Sequence, residues 1–352
     1  MPRKPILLPR ALVLLMAAAL ITSACSGDDR KGASTGGDKD ATDKKPVPTT
    51  IAPRPAPLTG LILADGSLAD RPVVVVKVDN SPQARPQAGL DKADVVIEEK
   101  VEGAITRFLA VFHSEDAELV GPVRSVRSTD APIVSALGGV FAFAGGIPPF
   151  VSLAQSAPVT VISEQTRPDA FKLRSDKRRP FKTYASTARL RGLAGNRSQP
   201  PPRLFELLLA DQAFEPAGAT PATHATVVFG GLTKSDWDYD AASKQWRRTT
   251  NGTPHVIEGG PQLSFTNVVI QRTAYRATRF TDTSGTKVDE ATVVGSGDAV
   301  ILSAGKQVAA KWSKASATAV TTYTDSAGAP IRLTPGRTWI SLPPTAAAIT
   351  VR

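Results

Sequence analysis

The sequence predicts an α/β layered domain followed by a β-rich antiparallel region, and three observations predict it. The run Val73-Val74-Val75-Val76-Lys77-Val78 is almost entirely β-branched and reads as a strand buried on both faces. Helix-start signals follow it, so strands and helices mix from Leu58 to about Phe214. From Ala225 onward the pattern changes to short alternating stretches punctuated by turn pairs such as Asn251-Gly252 and Gly259-Gly260.

Ahead of the folded part, the first ten residues are basic, Ala11 to Ile21 is an apolar run of 11 residues, and Thr22-Ser23-Ala24 leads into Cys25. This is the order of a secretory signal, and the run is too short to span a bilayer. The segment resembles a bacterial lipobox, with Thr22 where leucine is usual. Residues 1–24 are therefore expected to be a lipoprotein signal peptide. Cys25 is expected to be acylated, a diacylglyceryl anchor holding the chain at the extracytoplasmic face of the cell membrane. The competing reading is an ordinary signal peptide that happens to carry a cysteine. Residues 25–57 are rich in Ser, Gly, Asp, Lys, Thr and Pro, cannot bury enough surface to order themselves, and read as a tether. At 352 residues and 41% hydrophobic, the chain is long enough for two domains with cores. They are expected at 58–215 and 222–352.

Two further strands are expected at 93–98 and 104–112. Glu102-Gly103 between them suits a tight turn, and a two-residue turn there pairs Glu98 with Arg107. Ser128-Thr129-Asp130 caps a helix with Pro132 in its first turn, ending at Gly138-Gly139. Further helices are read at 149–155, 186–193 and 202–212, the last from its Leu/Phe face. The C-terminal strands are expected at 225–229, 245–248, 263–271, 274–280, 299–303, 307–314 and 321–323.

The single cysteine excludes an internal disulfide, a Cys-based zinc site and a redox thiol pair. His113, His224 and His255 lack metal-ligand spacing and read as structural or surface groups. No Gly-x-Ser-x-Gly, His-Glu-x-x-His or Gly-x-x-x-x-Gly-Lys motif occurs. Ser284 to Lys287 and Ser303 to Lys306 match Ser-x-x-Lys but fall in Gly-containing turns, where serine and lysine do not meet as they do on a helix. Asp236 to Asp240 mimics the start of a calcium loop, yet its sixth and twelfth positions hold Ala241 and Arg247. It reads as a strand end and an Asp-rich turn. No cofactor or metal is expected.

The densest charge in a core-forming segment runs from Asp79 to Arg127. Buried charges cost several kcal/mol unless paired, so these groups either neutralise one another or face a polar ligand. Arg124 and Arg127 sit before the helix capped near Ser128, where free N–H groups and the helix dipole favour anions. Arg107, Arg124 and Arg127 are the candidates for holding a carboxylate or phosphate. Glu98, Glu102 and Asp79 shape the polar side, and Asn80 with Arg85 and Gln87 of the following loop complete the set. The competing reading is an internal Glu–Arg network that fixes strand register and binds nothing. A second basic run spans 172–191 and reads as a solvated loop or a contact for lipid headgroups or anionic wall polymer. Net charge is +10, compatible with weak attraction to anionic lipid or wall polymer and equally with plain solubility. No aromatic platform interleaves the charges, so nucleic acid is not an expected partner.

Arg71-Pro72 through Asp79-Asn80, Arg85-Pro86-Gln87-Ala88-Gly89-Leu90, Ala93-Asp94-Val95-Val96-Ile97-Glu98, Glu102-Gly103 with Thr106-Arg107-Phe108, and Gly121-Pro122-Val123-Arg124-Ser125-Val126-Arg127 together resemble the YerB-like lipoprotein family. Asn267-Val268-Val269, Gly328 and Gly336 to Ile340 fit as well, so the resemblance covers nearly everything after the tether. It implies a layered α/β sandwich with a mixed sheet, a β-rich C-terminal part and a surface lipoprotein, and supplies no established reaction. The family usually has His-Asn between a proline and a tyrosine where this chain has Pro180-Phe181-Lys182-Thr183-Tyr184, and a serine where Ile147 follows Gly145-Gly146. The function expected is a non-catalytic, anchored binding or accessory protein. Its targets are an anionic wall polymer, peptidoglycan or a wall-synthesis protein. The alternative is a wall-polymer hydrolase or transferase using Asp79, Glu98 and Glu102 as acid and base.

Overall fold

The Val-rich run forms β1 (Val74–Asp79), buried along its whole length in a computed structural model that describes residues 51–352 apart from 232, 283 and 284. Residues 1–24, Cys25 and the tether to Thr50 lie outside the described residues. After β1 come β2 (Val95–Lys100), β3 (Thr106–Phe112), α1 (Asp130–Val134), β4 (Val140–Phe143), α2 (Pro148–Ser156), β5 (Thr160–Ser163), β6 (Phe171–Leu173), β7 (Thr183–Ala185) and α3 (Thr187–Arg191). The C-terminal half adds β8 (His224–Gly230), β9 (Thr233–Asp240), β10 (Gln245–Thr250), β11 (Asn267–Gln271), β12 (Tyr275–Thr281) and β13 (Lys287–Ala291). It ends with β14 (Gly295–Ser303), β15 (Lys306–Lys314), β16 (Thr338–Leu342) and β17 (Ile349–Val351).

One mixed sheet joins the two halves in the order β15-β14-β11-β16-β2-β3-β1-β4-β5. The C-terminal strand β16 lies parallel to β2 and so places late sequence beside early sequence. A second sheet, β10-β9-β8-β17, is antiparallel. Side chains alternate across a strand, so β1 supplies both cores. Val73 and Val75 join Val134, Phe150 and Ala154 of the α1/α2 side, while Val74, Val76 and Val78 join Leu190 of α3 and Trp237 and Trp246 of the second sheet.

Strands dominate; the α-helices have only five to nine residues. Helix α2 opens on Pro148 and Pro149, where a missing N–H costs nothing. Ser186 caps α3 by accepting from the Arg189 amide at 3.4 Å. Helix α1 stops at Val134, well short of Gly138-Gly139. The helix expected at 202–212 is not formed. Glu206–Leu207 instead runs parallel to Arg332–Leu333 as a short strand, after a Pro200-Pro201-Pro202 stretch that favours extended backbone. Its apolar residues are satisfied by a pocket rather than a helix face, with Phe205 stacked on Tyr323 at 6.3 Å. Asp236 to Asp240 lies within β9, and the turn follows at 241–244. Ser303 ends β14 and donates to Asn267 Oδ1 at 2.7 Å, so its Ser-x-x-Lys match lies in a hairpin; Ser284 lies outside the described residues. Among the described residues no helix is long and apolar enough to cross a membrane.

Candidate functional site

The pairing of β2 with β3 decides which charges meet. Glu99, not Glu98, lies opposite Arg107, and Glu98 lies opposite Phe108. The connection is longer than a two-residue turn. Val101 donates to the Ile105 carbonyl at 2.9 Å around the 3-10 turn Glu102–Ala104, with Gly103 at φ 71°. A one-residue slip sends each side chain to the other face. Lys77, Asp79, Glu99 and Arg107 therefore share the α1 side, and Glu98 projects to the other.

On the α1 side, three arginines converge at the rim of a cleft of about 710 Å³. Arg107 is buried, donating to the Ser125 carbonyl at 3.0 Å and to Glu102 at 3.3 Å. Arg127 donates through Nε to Glu102 Oε2 at 2.8 Å and through Nη2 to Oε1, so one carboxylate bridges two guanidiniums. Arg124 Nε stands 2.8 Å from Oδ2 of the buried Asp79, an ion pair whose N–H direction is not aligned for a hydrogen bond. Among the described residues, no protein group accepts from the Arg124 Nη atoms. Glu164, Gln165, Arg179 and the 145–147 segment line the rest of the cleft, and Asp282 closes it from the β12–β13 hairpin. Glu164 accepts from Arg179 at 3.0 Å and from Thr183 at 2.8 Å.

Behind this rim, Lys77 donates to Asp130 at 2.6 Å and to Glu99, all three buried. Asp130 Oδ2 accepts from the Arg127 amide at 2.7 Å and fixes the start of α1. Burial pushes the Glu99 carboxyl up to about 7, with Asp130 adding to the rise and Lys77 opposing it. Burial also lowers the affinity of Arg107, Arg124 and Arg127 for their protons, though guanidiniums this basic stay charged. Helix α1 is too short to act as an anion site of its own; the donors here are side chains.

The sequence-derived candidates thus fall into two groups. Arg107, Arg124, Arg127, Glu102 and Asp79 come together at the cleft. Glu98, Asn80, Gln87 and Arg85 belong to the opposite face of the sheet. There Arg248, fully buried, donates to Glu98 Oε1 at 2.8 Å and Ser235 at 2.6 Å. Its guanidinium lies 4.6 Å from the Trp339 ring and 5.6 Å from that of Phe108. Trp339 Nε1 donates to Glu98 Oε2 at 3.1 Å, and Asn80 donates to Thr106, which donates to Glu98. His255 Nε2 lies 2.8 Å from Gln87 Oε1, and burial holds this histidine neutral. Arg85 is half-buried, and burial outweighs the pull of Glu98 and Asp79 on it. Since Asp79 and Glu98 lie on opposite faces, they do not form an acid–base pair around one substrate. Arg248, His255 and Trp339 carry no local sequence signal, because each meets Glu98 or Gln87 from 150 or more residues away.

Models of a family described as "Protein of unknown function (DUF3048)" match its N-terminal domain to residues 58–199 and its C-terminal domain to residues 225–340. YerB of Bacillus subtilis (strain 168), whose name classes it as a lipoprotein, is 28% identical over 309 residues, spanning 86% of this chain and 89% of that protein. The crystal structure of the Bacillus subtilis YerB protein superposes with a TM-score of 0.71 at 25% identity, covering 84% of this chain and 99% of that one. Both domain matches, together with the likeness to YerB in sequence and in fold, place the chain in the DUF3048 family of YerB-like lipoproteins.

Proposed function

We propose that this chain is an extracytoplasmic lipoprotein, anchored through Cys25, that binds a polar, partly anionic cell-wall component or a wall-synthesis protein without catalysing a reaction. The observation that carries this reading is Arg124. Its Nε faces a buried carboxylate and its two terminal nitrogens are left to a cleft large enough for a sugar- or peptide-sized group. The lipoprotein name of YerB supports the anchor. A hydrolase or transferase is the poorer reading. Asp79 is buried against Arg124, Glu102 is tied to Arg107 and Arg127, and Glu98 faces the far side of the sheet. Titration with muropeptides, teichoic-type polymer and purified wall synthases tests it. Binding of one of these that weakens in Arg124→Gln is expected; no binding to any of them overturns the reading.

A further inference from the structure

The cleft is nearly neutral in itself. Its arginines 107, 124, 127 and 179 face Asp79, Glu102, Glu164 and Asp282. Such a site holds one anionic group at the free end of Arg124 and offers little long-range attraction. The excess positive charge stands beside it, on the β6–β7 hairpin. Residues 172–182 carry six cationic side chains against Asp176 alone. Arg174 is held by Asp176 and by Glu258 at 2.6 Å, which pins the loop to the C-terminal half. Arg179 pairs with Glu164. Lys172, Lys177, Arg178 and Lys182 have no ion pair or side-chain hydrogen bond among the described residues.

This hairpin is fixed next to Arg124 rather than merely near it. The Val123 amide donates to the Thr183 carbonyl at 2.7 Å, Val120 bridges to Ala185, and the Phe181 ring lies 6.0 Å from the Arg124 guanidinium. Leu173, Arg179, Pro180 and Thr183 form a wall of the cleft itself. The hairpin that carries the unpaired Lys177, Arg178 and Lys182 thus shares a wall with the cleft that Arg124 enters.

We propose that the hairpin is the second part of the binding site and that its ligand is a linear polyanion with one charge per repeat, of the phosphodiester type. This rests on the reading of Arg124 given above. One anionic group enters the cleft and takes the Arg124 nitrogens; the next groups along the chain meet Lys177, Arg178 and Lys182. A flat anionic membrane fits this arrangement less well, because the Arg124 side chain is only 21% exposed and recessed within the cleft. Arginine serves the single recessed group through a planar fork, while flexible lysines serve exposed groups whose spacing varies.

The test uses the full chain in detergent with inorganic phosphate, poly(glycerol phosphate) of increasing length, and vesicles containing anionic lipid. Affinity for the polymer should rise with length and fall with salt. The triple variant Lys177→Gln/Arg178→Gln/Lys182→Gln should lose about a hundredfold for the polymer, from three charge contacts of ordinary strength, while millimolar phosphate still competes at Arg124. Length-independent affinity, or a triple variant that binds polymer like the unaltered chain, overturns the hairpin's role and leaves the Arg124 reading standing. Vesicle binding that equals polymer binding and survives Arg124→Gln assigns the basic loop to the membrane and also overturns the proposal. Failure of phosphate and of every polymer length to bind removes the Arg124 reading itself.

Discussion

Asp79 Oδ2 lies 2.8 Å from Arg124 Nε, and the carboxylate has no exposure while the guanidinium edges into a cleft. Removing the carboxylate leaves a partly buried cation without its partner. Asp79→Asn should cost about 3 kcal/mol, the low end for breaking a buried pair because Arg124 keeps some water. Urea denaturation measures it. In the double variant with Arg124→Gln the two losses should fall short of their sum, since the second change removes the charge the first one stranded. Full additivity contradicts the pairing.

A second buried pair joins the two sheets. Arg248 of β10 and Glu98 of β2 meet at 2.8 Å, both without exposure. Arg248→Met should destabilise by about 3–5 kcal/mol because buried Glu98 loses its ion-pair partner in an aromatic surround. Adding Glu98→Gln should restore a measurable part of that loss in the same urea experiment.

Glu99 gives the protein a pH dependence with a defined sign. Its folded-state value of about 7 exceeds its ordinary 4.5, so between these limits the folded chain holds a proton the unfolded chain has released. Stability from this group therefore falls as pH rises from 4.5 to 7. Lys77, Asp130 and Arg107 face it and set the extent. His113, pushed down to about 4 mainly by burial, has the opposite slope up to its ordinary 6.5. The comparison with Glu99→Gln isolates the carboxyl. The variant should gain on the unaltered chain between pH 5 and pH 8 in urea midpoints, and parallel profiles contradict the assignment.

The proposed lipid anchor makes its own prediction. Globomycin treatment should leave residues 1–24 uncut, and Cys25→Ser should leave the N-terminal segment both uncut and unacylated. Cell fractionation and mass measurement of the N-terminal peptide check both; unprocessed full-length chain free in the cytoplasm contradicts the anchor.

What could be read in the sequence follows from which forces are local. The run Val73 to Val78 declares itself, because β-branched residues buried on both faces leave no other reading. Among the C-terminal strands, β8 and β15 were legible through their alternation, whereas β13, β16 and β17 were not expected and β9 was read only as a strand end. The Leu/Phe spacing of 202–212 mimicked a helix, but preceding prolines and a waiting apolar pocket kept the segment extended. The site was half legible. Arginines 107, 124 and 127 with Glu102 stand close in sequence and meet in space. Glu98 went to the wrong face because an unforeseen 3-10 turn moved the register by one. Its partners Arg248 and Trp339 come from another sheet and a distant strand, which no local pattern encodes.

Nitrogen-15 NMR of the arginine side chains tests the cleft most directly, with the Arg124 Nε–H signal assigned by its disappearance in Arg124→Lys. On titration with inorganic phosphate and then poly(glycerol phosphate), that signal should move in a saturable way while buried Arg248 stays unchanged. A still Arg124 signal, with shifts confined to exposed arginines such as Arg276, would contradict the account.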